Sequence, residues 1–453
     1  MQYISRDKEF YKKAIAITIP MALQSMITIG INLADTVMVG KLGENSLSGV
    51  AQANQFVGLF QICCMGIGMG ANVLTSRFWG MKKITDLKRA VTIMYRFLFV
   101  LSLLIFIIPT IVCPNFILGI YAKEPEVISE GVRYIRWMIP CYLLQGLALT
   151  SSIVLRSVGK VKIPLYSSIG AFFLNIFCNW VFIFGKFGAP CMGVEGAGVG
   201  TLISRVFEFC FICGYMFVVD RNIGYRVKDL FMGVKDLLGD YFRISIPVFV
   251  SDTLLALGTS AVAIVMGRIG KEFVSANSIT VVTQQLSTVL IQGICNASGI
   301  MTGHTLGAGD KEKATTEAWT FLFMSAIVGI VGGGIILLIA EPVIGCYNIT
   351  EETHEIASQL MRSIAVIVVF QSMNSILTKG VLRAGGDTKF LMVADILFLW
   401  VVSVPLGAVA GLYWHMDAFW IYFFLKIDQV IKSVWCLFRL KSGKWIKNIE
   451  AKS

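Results

Sequence analysis

The sequence predicts an all-α integral membrane protein with twelve transmembrane helices in two pseudo-symmetric six-helix bundles. Three observations carry that expectation: a shortage of charge, a series of uncharged runs long enough to span a membrane, and a repeat of the first half in the second. Only 15% of the 453 residues are charged and 56% are hydrophobic, whereas soluble domains carry about 25% charged residues. The runs 45–76, 163–185, 273–303 and 318–340 contain no Asp, Glu, Lys or Arg. Roughly 20 apolar residues suffice to cross a hydrocarbon core.

Uncharged runs between charged turns place the spans at about 14–38, 48–74, 92–114, 134–155, 163–185, 196–218, 243–267, 274–300, 317–340, 358–380, 390–412 and 416–438. Alternate connections differ sharply in basic charge: 26 Lys and Arg fall on the side of the two termini, and six on the other. Lys/Arg excess marks cytoplasmic loops, so the expected placement is a cell inner (cytoplasmic) membrane with both termini in the cytoplasm. The charged lead MQYISRDKEFYKK reads as a retained cytosolic segment. The net charge of +11 is thus a topology signal, because nucleic-acid binding needs a clustered basic patch. The eleven cysteines scatter through apolar runs, as small hydrophobes do, and form no disulfide frame or metal motif.

The halves match at a gap-free offset of 227 residues: Ile19-Pro20 on Ile246-Pro247, Gly40-Lys41-Leu42-Gly43 on Gly267-Arg268-Ile269-Gly270, Gly66 on Gly293, and Gly80 on Gly307. Leu155-Arg156 likewise falls on Leu382-Arg383, with Gly159 on Gly386 and Lys162 on Lys389. Six helices per repeat is an even number, so the halves run in the same direction, related by a pseudo-twofold axis along the membrane normal with a cleft between them. The expected domains are a lobe at 1–218, a cytoplasmic linker at 219–242, and a lobe with a basic cytoplasmic tail at 243–453. Parallel halves around a cleft are a transporter architecture.

Several stretches resemble the multidrug and toxic compound extrusion (MATE) family, bacterial and Firmicute-like. Asp35-Thr36-Val37-Met38-Val39-Gly40 is similar to its first-helix signature. NIFCNWVFIFGKFGAPCMGVEGAGVG (175–200) resembles its fifth-helix, loop and sixth-helix pattern. LRSVGKVK (155–162) and LRAGGDTK (382–389) resemble its paired Leu-Arg turns, and SGKWIKN (442–448) its tails. The resemblance spans the chain and implies proton- or sodium-coupled export of cationic or aromatic compounds.

Charge inside a membrane span is costly and marks function or pairing. Ser25, Thr28, Asn32 and Asp35 fall on one face of the first helix at spacings of 3, 4 and 3. Asp35 is therefore the first candidate coupling carboxylate, as the resemblance also implies. The alternative is an interfacial Asp one turn from Gly40. Asp252, at the repeat position of Ser25, and Asp395, with no basic partner nearby in sequence, are the other candidate coupling acids, or else structural locks. Arg205 and Glu208, three apart, form either a structural ion pair or a gate. Asp428 and Lys432 are expected as an interfacial pair. Asn179 and Asn374 stand where some family members carry acids. They join Asn32, Gln52, Gln55, Asn175, Gln284 and Gln285 as candidate cavity residues.

No nucleotide-binding loop, H-E-x-x-H or G-x-S-x-G motif occurs, so an enzyme is not expected. No cofactor or metal is expected, with H⁺ or Na⁺ as coupling ion. The expected function is a secondary multidrug antiporter that exports amphipathic organic cations by alternating access. The partners would be small organic cations and the bilayer, without nucleic acid, and the chain would be a monomer. The alternative is a flippase or exporter for a lipid-linked or endogenous metabolite, a cavity for which would want basic side chains at mid-membrane.

Overall fold

A computed structural model describes residues 4–121, 124–347 and 349–447. Lys123 and Lys452, counted in the charge bias, and Asn448 of the tail stretch lie outside the described residues. Among the described residues there are helices and turns and no strand. Eleven helices are long and apolar enough to cross a membrane. They are α1 (Lys8–Gly40), α2 (Glu44–Gly80), α3 (Ile84–Val112), α4 (Pro125–Ser157), α5 (Lys162–Phe184), α6 (Val194–Val219), α7 (Lys235–Ile269), α8 (Lys271–Gly307), α9 (Lys311–Ile344), α10 (Glu351–Ala384) and α11 (Thr388–Leu412). The twelfth expected span is in two pieces, α12 (Ala418–Leu425) and α13 (Ile427–Lys441), which meet at a non-helical Lys426.

The chain divides into two compact units. The amino-terminal unit takes Leu23–Thr75 and Lys83–Phe242. The carboxy-terminal unit takes the chain from Arg243 onward, together with Ser76–Lys82 and the chain up to Ala22. The division therefore runs through α1 and α2. In α1 it falls two residues after Pro20, whose ring removes one backbone hydrogen bond from the helix.

Within the amino-terminal unit, α5 lies along α6, and α4 packs on α6. The run of alternate glycines in GVEGAGVG explains how closely. A Cβ at Gly196 would lie 2.5 Å from the Phe182 carbonyl carbon of α5, and one at Gly198 would lie 2.8 Å from the Trp137 Cβ of α4. Small residues let helix backbones approach in a membrane. The expected linker is anchored to α3 rather than slack. Arg96 donates to the Leu230 and Met232 carbonyls at 2.6 and 2.9 Å, and Lys88 pairs with Asp229 at 2.9 Å. Arg96 is thus a fastener of this loop. Burial alone would raise the Asp229 carboxyl, but the Arg226 amide and the Lys88 ammonium outweigh it and hold it below its ordinary value.

Within the carboxy-terminal unit, α8, α9 and α10 pack on one another. Here the end of α2 meets the end of α8 at two repeat-related glycines: a Cβ on Gly307 would lie 2.9 Å from the Gly80 Cα. Arg77 then donates to the Ala384 carbonyl at 3.0 Å and to the Lys447 carbonyl at 2.6 Å. Trp445, fully buried, covers the Gly385 turn.

Candidate functional site

The amino-terminal unit encloses a cavity of about 350 Å³ lined by α1, α2, α4, α5 and α6. Helix α1 supplies Ile31, Asn32, Asp35, Thr36 and Val39. Of the polar stripe read from sequence, Asn32 and Asp35 line the cavity, whereas Ser25 and Thr28 do not. Helix α2 supplies Leu47, Val50, Ala51, Asn54, Val57, Gly58 and Gln61, one face at helical spacing. Gln52 and Gln55 are turned away from it, because each residue advances about 100° around a helix.

Asp35 is half-buried and accepts a hydrogen bond from the Asn179 side-chain amide at 2.6 Å. The same amide lies 3.3 Å from the Asn175 Oδ1, one helical turn away, and Asn175 itself lines the cavity. Asn179 is completely buried, and its Oδ1 has no partner. Gly200 makes room for it, since a Cβ there would overlap that oxygen. Among the described residues no Lys, Arg or His forms a salt bridge with Asp35. Tyr134 also lines the cavity and donates to Asn54 at 3.3 Å, while Gln145 and Thr201 add further polar groups. Arg205 also lines the cavity and pairs with Glu208 at 2.7 Å, as a three-residue spacing on α6 allows. An acid in this setting can hold a cation or exchange a proton, and the neutral amides around it can orient a ligand without competing for its charge.

The other candidate acids belong to the carboxy-terminal unit and are neutralised there. Asp252 receives two bonds from Arg383, at 2.9 and 3.3 Å. Asp395, with no basic partner nearby in sequence, has one in the fold: Lys432 lies 3.1 Å away, and Ser251 donates to the other carboxylate oxygen. The partner is 37 residues distant in sequence, which hid it from any helical-spacing argument. Lys432 also pairs with Asp428 at 3.0 Å. This last pair, expected from its spacing, is buried, each residue only 1% exposed. Gln429 donates to Asp428 at 2.8 Å and accepts from Asn374 at 2.8 Å. Gln284 donates to Gln371, also at 2.8 Å, and Gln285 is exposed. Gln284 and Asn374 thus each have one side-chain amide partner, while the Asn374 Oδ1 is buried without one.

Sequence reasoning did not single out Thr36, Asn54, Gln61, Tyr134 or Thr201. The signal for the α2 pair was available: Asn54 and Gln61 fall on the Leu47–Val50–Val57 stripe, seven residues apart.

The MatE family model matches the chain twice, over residues 20–181 and 247–409, two stretches that begin at the offset of the internal repeat. A probable multidrug resistance protein NorM of Thermotoga maritima is 25% identical, across 98% of this chain and 96% of its own length. The uncharacterized transporter YisQ of Bacillus subtilis is 23% identical, across 97% of this chain and 96% of its own. A crystal structure of a MATE proline-to-alanine mutant superposes with a TM-score of 0.87 at 19% identity, covering 96% of this chain and 97% of that one. The chain belongs to the MatE family, the multidrug and toxic compound extrusion proteins, which are multi-pass membrane transporters and not enzymes.

Proposed function

We propose that this protein is a secondary multidrug efflux antiporter that exports amphipathic organic cations in exchange for H⁺ or Na⁺, with Asp35 as the coupling carboxylate. The observation that carries the reading is the position of Asp35. It faces a cavity, bonded to a neutral amide. Asp252, Asp395 and Asp428 of the other unit are each paired with a cation. A carboxylate already paired with a fixed cation gains little from a proton or sodium ion, whereas Asp35 gains a partner from either.

A cation bound at Asp35 and a proton or sodium ion at the same group exclude each other, which is the competition an antiporter needs. With no nucleotide loop in the chain, the drive would come from an ion gradient, worth about 2.3 kcal/mol per charge per 100 mV. The Lys/Arg bias supports a bacterial inner-membrane placement with both termini in the cytoplasm, and the chain would act as a monomer. Arg383 and Lys432, two buried cations of the carboxy-terminal unit, are engaged by carboxylates, which weighs against phosphate binding at either of them.

The test is efflux of a cationic dye from proteoliposomes with pH and sodium gradients imposed separately. One gradient should drive efflux in the wild type, and neither should in Asp35→Asn. Undiminished efflux by that variant would remove Asp35 from the mechanism.

A further inference from the structure

The cavity is not lined by negative charge alone. Arg205 enters it from α6, one turn after Thr201, which also lines it. A guanidinium carries five N–H donors in a planar fork that fits a carboxylate in two-pronged fashion. In Arg205 one nitrogen, Nη1, is used on Glu208. Glu208 is not a lining residue, and the Arg205 Nε is buried without a partner. A buried donor left unpaired is costly, so a small side-chain rotation that turned the fork to a ligand oxygen would gain a hydrogen bond.

Asp35 and Arg205 form no direct salt bridge, although they lie close enough to interact electrostatically. Asp35 takes its bond from Asn179, and the ion pair of Arg205 is with Glu208. The cavity therefore offers an anion and a cation at separate places on its wall. Ile31, Val39, Val50, Val57 and Met138 form an apolar surface beside them. Its volume of about 350 Å³ is near the lower end of the range for small-molecule pockets, and equals about a dozen water volumes of ~30 Å³ each. That suits a compact body with one ring rather than a large polycyclic cation.

We propose that the preferred ligands of this cavity are small zwitterions, with an ammonium at Asp35, an anionic group at Arg205 and a short apolar or aromatic body between. The assignment rests on reading the cavity as the transport site, and it makes Arg205 a specificity residue. A simple monocation uses only half of the charged wall. A simple anion meets Asp35 without compensation.

Three probes of nearly the same shape separate the cases: phenethylamine, phenylalanine and hydrocinnamate, respectively cation, zwitterion and anion at neutral pH. Equilibrium binding of each labelled probe to the purified full chain should give phenylalanine the lowest Kd, by about tenfold over phenethylamine, with hydrocinnamate weakest. Removing the ion pair as a unit, in Arg205→Gln with Glu208→Gln, avoids stranding a buried Glu208. It should bring the phenylalanine Kd to within about threefold of the phenethylamine Kd. Arg205→Lys, which keeps the charge and loses the fork, should fall between.

Phenethylamine binding as tightly as phenylalanine to the wild type, a zwitterion preference that survives the double variant, or no binding by any of the three would each overturn the proposal. Failure of the antiporter reading appears elsewhere, as dye efflux that no ion gradient drives.

Discussion

The two halves share a fold and reverse each other's chemistry. Position by position, at the offset of 227, Asp35 of α1 faces Val262 of α7, and Asn179 of α5 faces Leu406 of α11. The acid that opens on a cavity in one copy, and the buried amide bonded to it, are thus apolar in the other. The reverse holds a few turns away. Gln24 donates to Ser168 at 2.9 Å in the amino-terminal unit, and the matching positions in the carboxy-terminal unit hold Ser251 and Asp395. Arg156 and Arg383 occupy the same repeat position, and Asp252, which pairs with Arg383, stands where the first copy has Ser25. Neither acid is demanded by the shared fold. One copy keeps a carboxylate among neutral partners beside a cavity, and the other surrounds its carboxylates with Arg383 and Lys432. The difference teaches that burial of an acid in a membrane does not by itself mark a coupling site. In the proposed mechanism the company it keeps is what distinguishes Asp35.

The largest effect should come from breaking the charge balance of the paired side. Lys432→Met leaves Asp395 and Asp428 buried without their shared cation, and removing one partner of a buried pair costs about 3–5 kcal/mol. Thermal unfolding in detergent should show that loss. The triple variant Asp395→Asn, Asp428→Asn and Lys432→Met should recover most of it, because whole-set replacement by neutral groups is often tolerated.

The next effect belongs to the cavity side. Gly200→Ala pushes a methyl group into the space of the Asn179 Oδ1 and should displace the amide from Asp35. A hydrogen bond to a charged group is worth about 1.5–3 kcal/mol, so ion-driven efflux should fall about tenfold or more while the unfolding temperature changes little.

The smallest effect lies outside the membrane, at the linker. Asp229 titrates below its ordinary 3.8, so its contribution is complete above that pH and is lost as the pH falls through it. Between about pH 5 and pH 3 the wild type should lose about 1 kcal/mol or less at this anchor. Asp229→Asn should lack that part of the acid sensitivity, measured as unfolding temperature against pH.

The spans, the repeat and Asp35 were legible in the sequence because each is a one-dimensional signal: length, offset, or a charge inside an apolar run. Asp395 was legible as an acid but not as half of a pair, since Lys432 comes from α13 and only tertiary packing brings it to α11. The cavity face of α2 was readable but obscured by chemistry. Gln52 and Gln55 are the conspicuous polar residues, whereas the lining is set by the stripe that holds Asn54 and Gln61. The anchoring of the linker by Arg96 to two backbone carbonyls left no sequence trace, because any residue supplies a carbonyl. Arg205 and Glu208 announced their pairing by spacing. That one of them lines the cavity was a matter of helix rotation, fixed by the packing of α6 on α5 and α4.

The contrast between the two units is tested most directly by one side-by-side measurement: initial rates of gradient-driven dye efflux in proteoliposomes for Asp35→Asn and for the neutral triple variant of Asp395, Asp428 and Lys432. The account predicts that Asp35→Asn abolishes gradient-driven efflux while remaining folded, and that the triple variant retains a rate within a few fold of the wild type. Efflux that persists in Asp35→Asn and vanishes in the folded triple variant would contradict it, and would move the coupling site to the paired acids.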